Sequence, residues 1–189
     1  LVDTARELGF TSLSFDLIHG LPLQTADSLR TTFDIIDSLQ PDRISFLPYA
    51  HVPWIKQSQR RYTEADLPES STRQQLYVLG RERMGAAGMV EIGMDQYARR
   101  EDALAVALRG NSLSRNFMGF SASRTDALIG LGVSAIGDNR RAYAQNEKNL
   151  QQYENRVLAG SLPLQRGQLL SSEDLRIREL LWNLLTTSR

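Results

Sequence analysis

Asp16 lies near the end of the alternating run Thr11 to Ile18, just before Gly20-Leu21-Pro22. Such a run reads as a strand closed by a turn, and ligands of α/β proteins bind at the C-terminal ends of their strands. A carboxylate there suits the paired hydroxyls of a ribose; its other reading is a structural Asp bonding the amides of the loop. Pro48-Tyr49-Ala50-His51-Val52-Pro53-Trp54 is a second candidate, a loop stiffened by two prolines. Tyr49, His51 and Trp54 suit stacking on a flat ligand or plain packing. His51 is either a proton donor or a structural histidine, and Ala50 matters where a ligand approaches the backbone closely. Asn116-Phe117-Met118-Gly119-Phe120 is aromatic-rich without core periodicity and suits a ligand wall or a lid.

Other patterns carry less. Gly130, Gly132 and Gly137 do not make the dinucleotide-binding spacing, and no suitable acidic residue follows them. Glu91, Asp95 and Glu101 are not spaced as a metal-binding set. The chain has no cysteine and only two histidines, His19 and His51. Disulfides, thiolate metal sites and a cysteine nucleophile are therefore excluded within these residues, and a self-contained zinc site is not expected.

The elements that must position these residues alternate strand and helix. After the strand ending near Ile18, Thr25 is placed to cap a helix with Asp27 in its first turn. Leu29, Phe33, Ile36 and Leu39 form its apolar stripe and Pro41 its exit. Arg43 to Tyr49 reads as a second strand, Ser71 to Ala87 as a second helix with Gly88 at C′, and Met89 to Met94 as a third strand. This spacing predicts parallel βαβ units, in a wound open sheet or in part of a (β/α) barrel. A closed eight-fold barrel takes about 250 residues, more than this chain has. One strand face is polar or small: Ser12, Ser14 and Asp16, then Arg43 and Ser45, then Glu91, Gly93 and Asp95. A parallel sheet buried on both faces would be apolar throughout. The expectation is a wide, ligand-filled lumen, with an open sheet and a solvated edge as the alternative. Beyond Tyr97, a short helix (100–109), a loop, a glycine-punctuated apolar run (129–137), a helix (147–159) and a last helix opened by Ser171 and Asp174 suggest a small, mostly helical unit.

With 41% hydrophobic and 23% charged residues among 189, the composition is that of a globular protein. The 22 basic residues balance the 22 acidic ones, which disfavours nucleic acid and anionic membrane as partners. No apolar run approaches the ~20 residues of a spanning helix. There is no signal-peptide pattern, and the first residue is Leu1 rather than methionine, so a start inside a longer protein is expected.

Several segments together resemble the oxygen-independent coproporphyrinogen III oxidase family of radical S-adenosylmethionine enzymes. They are Phe15-Asp16-Leu-Ile-His-Gly-Leu-Pro-Leu-Gln24-Thr25, Pro41-Asp-Arg43, Tyr49-Ala-His-Val-Pro-Trp54 and Ile92-Gly-Met-Asp-Gln-Tyr-Ala98, followed by Arg115-Asn-Phe-Met-Gly119, Leu131-Gly-Val-Ser-Ala-Ile-Gly137 and Tyr143-Ala-Gln-Asn146. They cover nearly the whole chain. Gly-Leu-Pro-x-Gln-Thr is shared with wider relatives, whereas Tyr-Ala-His-x-Pro and Arg-Asn-Phe-x-Gly are more discriminating.

The resemblance implies an α/β fold, with residues 1–110 the C-terminal part of a partial (β/α) barrel and residues 111–189 a family-specific, mostly helical domain. It implies a [4Fe-4S] cluster held by three cysteines upstream of Leu1, and two S-adenosylmethionine molecules, cleaved to 5′-deoxyadenosyl radicals. By matched position, Asp16 and Ala50 line the second S-adenosylmethionine, Ile136 lies near the first, and Phe117 lies beside the nucleosides. Met118 and His51 are candidate ligand-lining residues. Met118 stands where the family pattern has glutamine, and methionine supplies no amide; Phe120 likewise lacks the hydroxyl of a common tyrosine. The implied reaction is oxidative decarboxylation of coproporphyrinogen III to protoporphyrinogen IX in haem biosynthesis, by a cytoplasmic monomer fed by a reducing electron donor. These 189 residues alone are expected to be inactive. The alternatives are a haem-binding relative acting as a chaperone and a non-catalytic interaction domain.

Overall fold

The computed structural model describes residues 1–116 and 118–187. They fall into two compact units that divide between Val106 and Ala107. In the first, α1 (Val2–Glu7) precedes β1 (Ser14–His19), α2 (Ala26–Leu39), β2 (Arg43–Pro48), α3 (Ser70–Ala86), β3 (Met89–Gly93), β4 (Gln96–Arg99) and the start of α4 (Ala103–Arg109).

Local chemistry accounts for the helix boundaries. Thr25 and Ser28 form a reciprocal capping box at the start of α2, and Gln40, in the left-handed region, ends it before Pro41. Gly88, with φ of +77°, turns the chain out of α3. The stripe Leu29, Phe33 and Ile36 is buried as its spacing predicts, and in α3 the buried residues are Leu76, Gly80 and Met84.

The sheet order is β1-β2-β4-β3. β1 and β2 are parallel, as the βαβ reading requires. β3 keeps their direction but does not pair with β2. Between them lies β4, antiparallel to both neighbours. The turn from β3 to β4 runs through Met94 and Asp95, both with positive φ, a conformation that Asp tolerates and Met does not advertise.

Both long helices pack on one face of this sheet. Phe46 is fully buried there beside Ile44, Tyr97, Leu29, Phe33, Leu76 and Met84. Its ring meets Phe33 edge-on at 5.8 Å and lies parallel to Tyr77 at 6.4 Å. Each such side chain contributes about 1.5–3 kcal/mol on burial. The opposite face carries Ser14, Asp16 and Ile18, all exposed, with Leu47. Glu91 departs from the polar-face expectation. It pairs across the ladder with Tyr97 on the helix-packed face, 3.3 Å from Arg81 of α3. A bulge between Glu91 and Gly93 breaks the simple alternation that had grouped them.

The second unit is mixed rather than mostly helical. Besides α5 (Leu150–Leu158) and α6 (Ser172–Thr187), it holds a hairpin of β5 (Ser114–Asn116) and β6 (Gly119–Ser121), and an antiparallel sheet of β7 (Ile136–Asp138), β8 (Ala142–Asn146) and β9 (Leu164–Leu169). The glycine-punctuated run supports this sheet. A Cβ on Gly130 would meet the Ile136 backbone at 2.8–2.9 Å, so only glycine allows the two segments to lie so close. Asn146 fixes the run by donating to the carbonyls of Gly130 and Gly132 at 3.0 and 2.9 Å. Its amides are also committed: Gly132 donates to the Tyr153 hydroxyl and Ser134 to the Glu147 carbonyl. Ser171 and Asp174 cap α6 reciprocally.

Two glycines of α3 give a stability test. A methyl at Gly80 would enter the Phe46 ring, whereas one at Gly85 meets nothing within 4 Å. Gly80→Ala is expected to lose about 1–3 kcal/mol by overpacking, more than the ~0.5–1 kcal/mol helical gain. Gly85→Ala should gain that amount, both read from urea midpoints.

A second test is pH. His19 is 8% exposed, packed between Phe46 and Tyr77 at 4.7 and 5.4 Å, with Nδ1 unpartnered among the described residues. Burial pushes its pKa below the usual 6.5, against a smaller upward pull from Asp95. The unfolded chain therefore binds this proton more readily. The contribution of the neutral ring is fully present above pH 6.5 and is lost as pH falls below it. Urea midpoints should show the wild type losing stability relative to His19→Phe in that window, and parallel pH profiles would contradict it.

Candidate functional site

β1 and β2 end side by side, and the loops that leave them are held by side chains rather than by further strands. Asp16 pairs in register with Ser45, and Ser45 with Gln96, so these three share the uncovered face. The Asp16 carboxylate is exposed and has no hydrogen bond or ion pair among the described residues. The loop after β1 turns at Gly20 (φ +78°), and Gln24 secures it. Gln24 Oε1 accepts from the amides of Gly20 at 2.6 Å and Leu21 at 3.3 Å, and Nε2 donates to the Ile18 carbonyl at 3.2 Å. Loop amides therefore have an acceptor other than Asp16, which leaves that carboxylate available and removes the basis for its structural reading.

The loop after β2 is built the same way. The Tyr49 amide donates to the His19 carbonyl at 2.8 Å, joining the two loops. Gln59 Oε1 accepts from the Val52 amide at 2.6 Å, and Nε2 donates to the Ala50 carbonyl at 3.1 Å. Ala50 is exposed at the start of this clasp. His51 is half-buried with Nδ1 3.3 Å from the Tyr49 hydroxyl, so the pair acts as one polar unit. Trp54 is 71% exposed and free to cover a ligand.

Ala50 and His51 thus lie in the loop beyond the end of β2, while Asp16, third of six residues in β1, stands on the uncovered face within the strand. Ile136 and Met118 belong to the second unit. Ile136 is half-buried in β7, opposite Gln145. Met118 is 87% exposed in the β5–β6 turn, its amide donating to Asn116 Oδ1 at 2.8 Å. Phe117 lies outside the described residues. Sequence reasoning missed Gln24 and Gln59 as positioning residues. Gln24 had a signal, its place directly before a helix cap and after a glycine-proline turn; Gln59, in a polar stretch, had none.

Among the described residues no group of three or more His, Asp or Glu side chains is placed to hold a metal ion. No helix among them is long and apolar enough to cross a membrane.

No protein-family model matches the chain. It is 42% identical over 191 residues to the oxygen-independent coproporphyrinogen III oxidase of Escherichia coli, covering 100% of this chain and 41% of that protein. The enzymes of the same name from Helicobacter pylori and Pseudomonas aeruginosa are 38% and 40% identical, over 98% and 94% of this chain and 40% and 38% of their own lengths. The chain thus spans about two fifths of the length of these curated relatives. A solved structure of coproporphyrinogen III oxidase from Escherichia coli, described as a radical SAM enzyme, superimposes with a TM-score of 0.91 at 40% identity, over 98% of this chain and 43% of that one. By sequence and by backbone, across nearly all of its residues, the chain matches a segment of the oxygen-independent coproporphyrinogen III oxidases.

Proposed function

We propose that the full-length protein containing this chain converts coproporphyrinogen III to protoporphyrinogen IX by oxygen-independent oxidative decarboxylation. The observation that carries this reading is the extent of the match, which runs through both units at a TM-score of 0.91. The uncovered Asp16 carboxylate gives it a chemical footing on the open face of β1 and β2.

The residues present divide clearly over the two implied groups. With no cysteine in the chain, they supply no thiolate for a [4Fe-4S] cluster. S-adenosylmethionine fits better, because a free carboxylate on a polar strand face is a partner for ribose hydroxyls. On this reading Asp16 and Ala50 line one of two such molecules, Ile136 lies near the other, and Phe117 lies beside the nucleosides. When bound and reductively cleaved, S-adenosylmethionine supplies the hydrogen-abstracting chemistry by which two propionates become vinyl groups and lose carbon dioxide.

The chain's own part is to bind, orient and exclude water. Asp16 accepts from hydroxyls with no competing partner. Gln24 and Gln59 hold both loops in one conformation, so little ordering entropy is lost when a ligand binds. Ala50 leaves room beside the backbone, and the Tyr49–His51 pair offers one polar contact to the substrate. Met118, without an amide, offers apolar contact alone. Residues 1–110 act as part of a partial (β/α) barrel and residues 111–189 as its family-specific partner domain. The protein works as a cytoplasmic monomer supplied by a reducing electron donor.

The test is anaerobic turnover by the full-length protein, reconstituted with iron and sulfide and given S-adenosylmethionine, reductant and coproporphyrinogen III. Protoporphyrinogen IX is the expected product. Asp16→Ala should lower kcat/KM for S-adenosylmethionine about 10- to 100-fold, the loss of charge-assisted hydrogen bonds worth roughly 1.5–3 kcal/mol. Nucleoside cleavage with no porphyrin product would overturn the substrate assignment, and an unaffected Asp16→Ala would overturn the ribose role.

A further inference from the structure

The second unit contains a cavity of about 650 Å³, within the roughly 300–1,000 Å³ range of small-molecule sites. Four arginines line it. Two are committed: Arg178 grips Asp138 with two hydrogen bonds, at 2.9 and 2.7 Å, and Arg140 pairs with Asp126. The other two, Arg115 and Arg124, have no carboxylate partner among the described residues. Each instead lies over an aromatic ring, Arg124 at 3.6 Å from the centre of Trp182 and Arg115 at 4.8 Å from that of Phe120.

Stacking occupies the face of a guanidinium and leaves its in-plane N–H edge free. That edge is not being satisfied by water at Arg115, whose Nη1 is shut off from solvent without a hydrogen-bond partner among the described residues. The same holds for Nε1 of Trp182, which lines the same cavity. Both groups are donors only. Those two atoms are as closed to a carboxylate oxygen as they are to water, so the donors open to a ligand are the remaining N–H groups of Arg115 and the guanidinium of exposed Arg124. The rest of the wall includes Leu128, Ile177 and Leu181. A planar anion matches the donors and an apolar body matches the wall.

We propose that this cavity binds a carboxylic acid with an apolar body, its carboxylate taken by Arg115 and Arg124. Two sources supply that chemistry. One is a propionate side chain of the tetrapyrrole, which rests on the function proposed above; the other is a free arylalkanoic acid, which does not.

The test uses the full-length protein and two probes, coproporphyrin III and 3-phenylpropionate, with affinities from titration calorimetry. Arg115→Gln and Arg124→Gln should each weaken binding about tenfold or more. Arg115→Lys, which keeps the charge and loses the fork, should also bind more weakly. Thermal melting confirms that each variant is folded. Weakened coproporphyrin binding assigns the site to the tetrapyrrole's carboxylates, and weakened phenylpropionate binding alone assigns it to a free acid. Both outcomes support the site, including when turnover of coproporphyrinogen fails and the proposed function falls by itself. If the wild type binds neither probe, or folded arginine variants bind both unchanged, the proposal is overturned.

Discussion

Phe46 and the helices above it set the terms for the first unit. α2 and α3 each follow a strand and both return to the same side of the sheet, where Phe33, Tyr77 and the bare Gly80 close around the Phe46 ring. A sheet with its helices on one side has a dry face and a wet one. The dry face holds the strands in register by burial. The other face is left without helices and carries polar side chains together with Ile18 and Leu47, and in β1 and β2 the register puts Asp16 beside Ser45 at mid-strand. Packing on one side is thus what frees the other side for a ligand.

The loops extend that division of labour. Backbone groups at the ends of parallel strands lose their ladder partners and need others. Here two glutamines provide them, Gln24 for the first loop and Gln59 for the second, and the Tyr49 amide ties the loops to each other. The carboxylate and the half-buried Tyr49–His51 pair are consequently not consumed in holding the backbone. In the second unit glycine does comparable work, since Gly130 lets its segment lie against Ile136 where any side chain would intrude.

The legible parts of the sequence were those with strong local chemistry. Thr25, Pro41 and Gly88 mark helix ends through capping and backbone geometry, and the 3.6-residue stripe of α2 is buried as expected, whereas those of α5 and α6 stay largely exposed. The place of Asp16 on the uncovered face was legible because alternation in β1 is unbroken. β4 was not, since a four-residue strand offers little period and its preceding turn uses Met94 and Asp95 rather than glycine or asparagine. Glu91 was assigned to the wrong face because a bulge is invisible to a two-residue period. The second unit read as helical because its strands are three to six residues long and β9 is exposed throughout. Gln59 gave no signal at all, because its partners are backbone atoms seven and nine residues away that only the folded loop brings near.

The central claim is that the wet face of the first sheet is a nucleoside site. A crystal structure of the full-length protein with S-adenosylmethionine bound tests it most directly. The expected result is a nucleoside on the open face of β1 and β2, its ribose hydroxyls donating to the Asp16 carboxylate. Finding that face covered by apolar side chains, or the nucleoside bound away from Asp16, would contradict it.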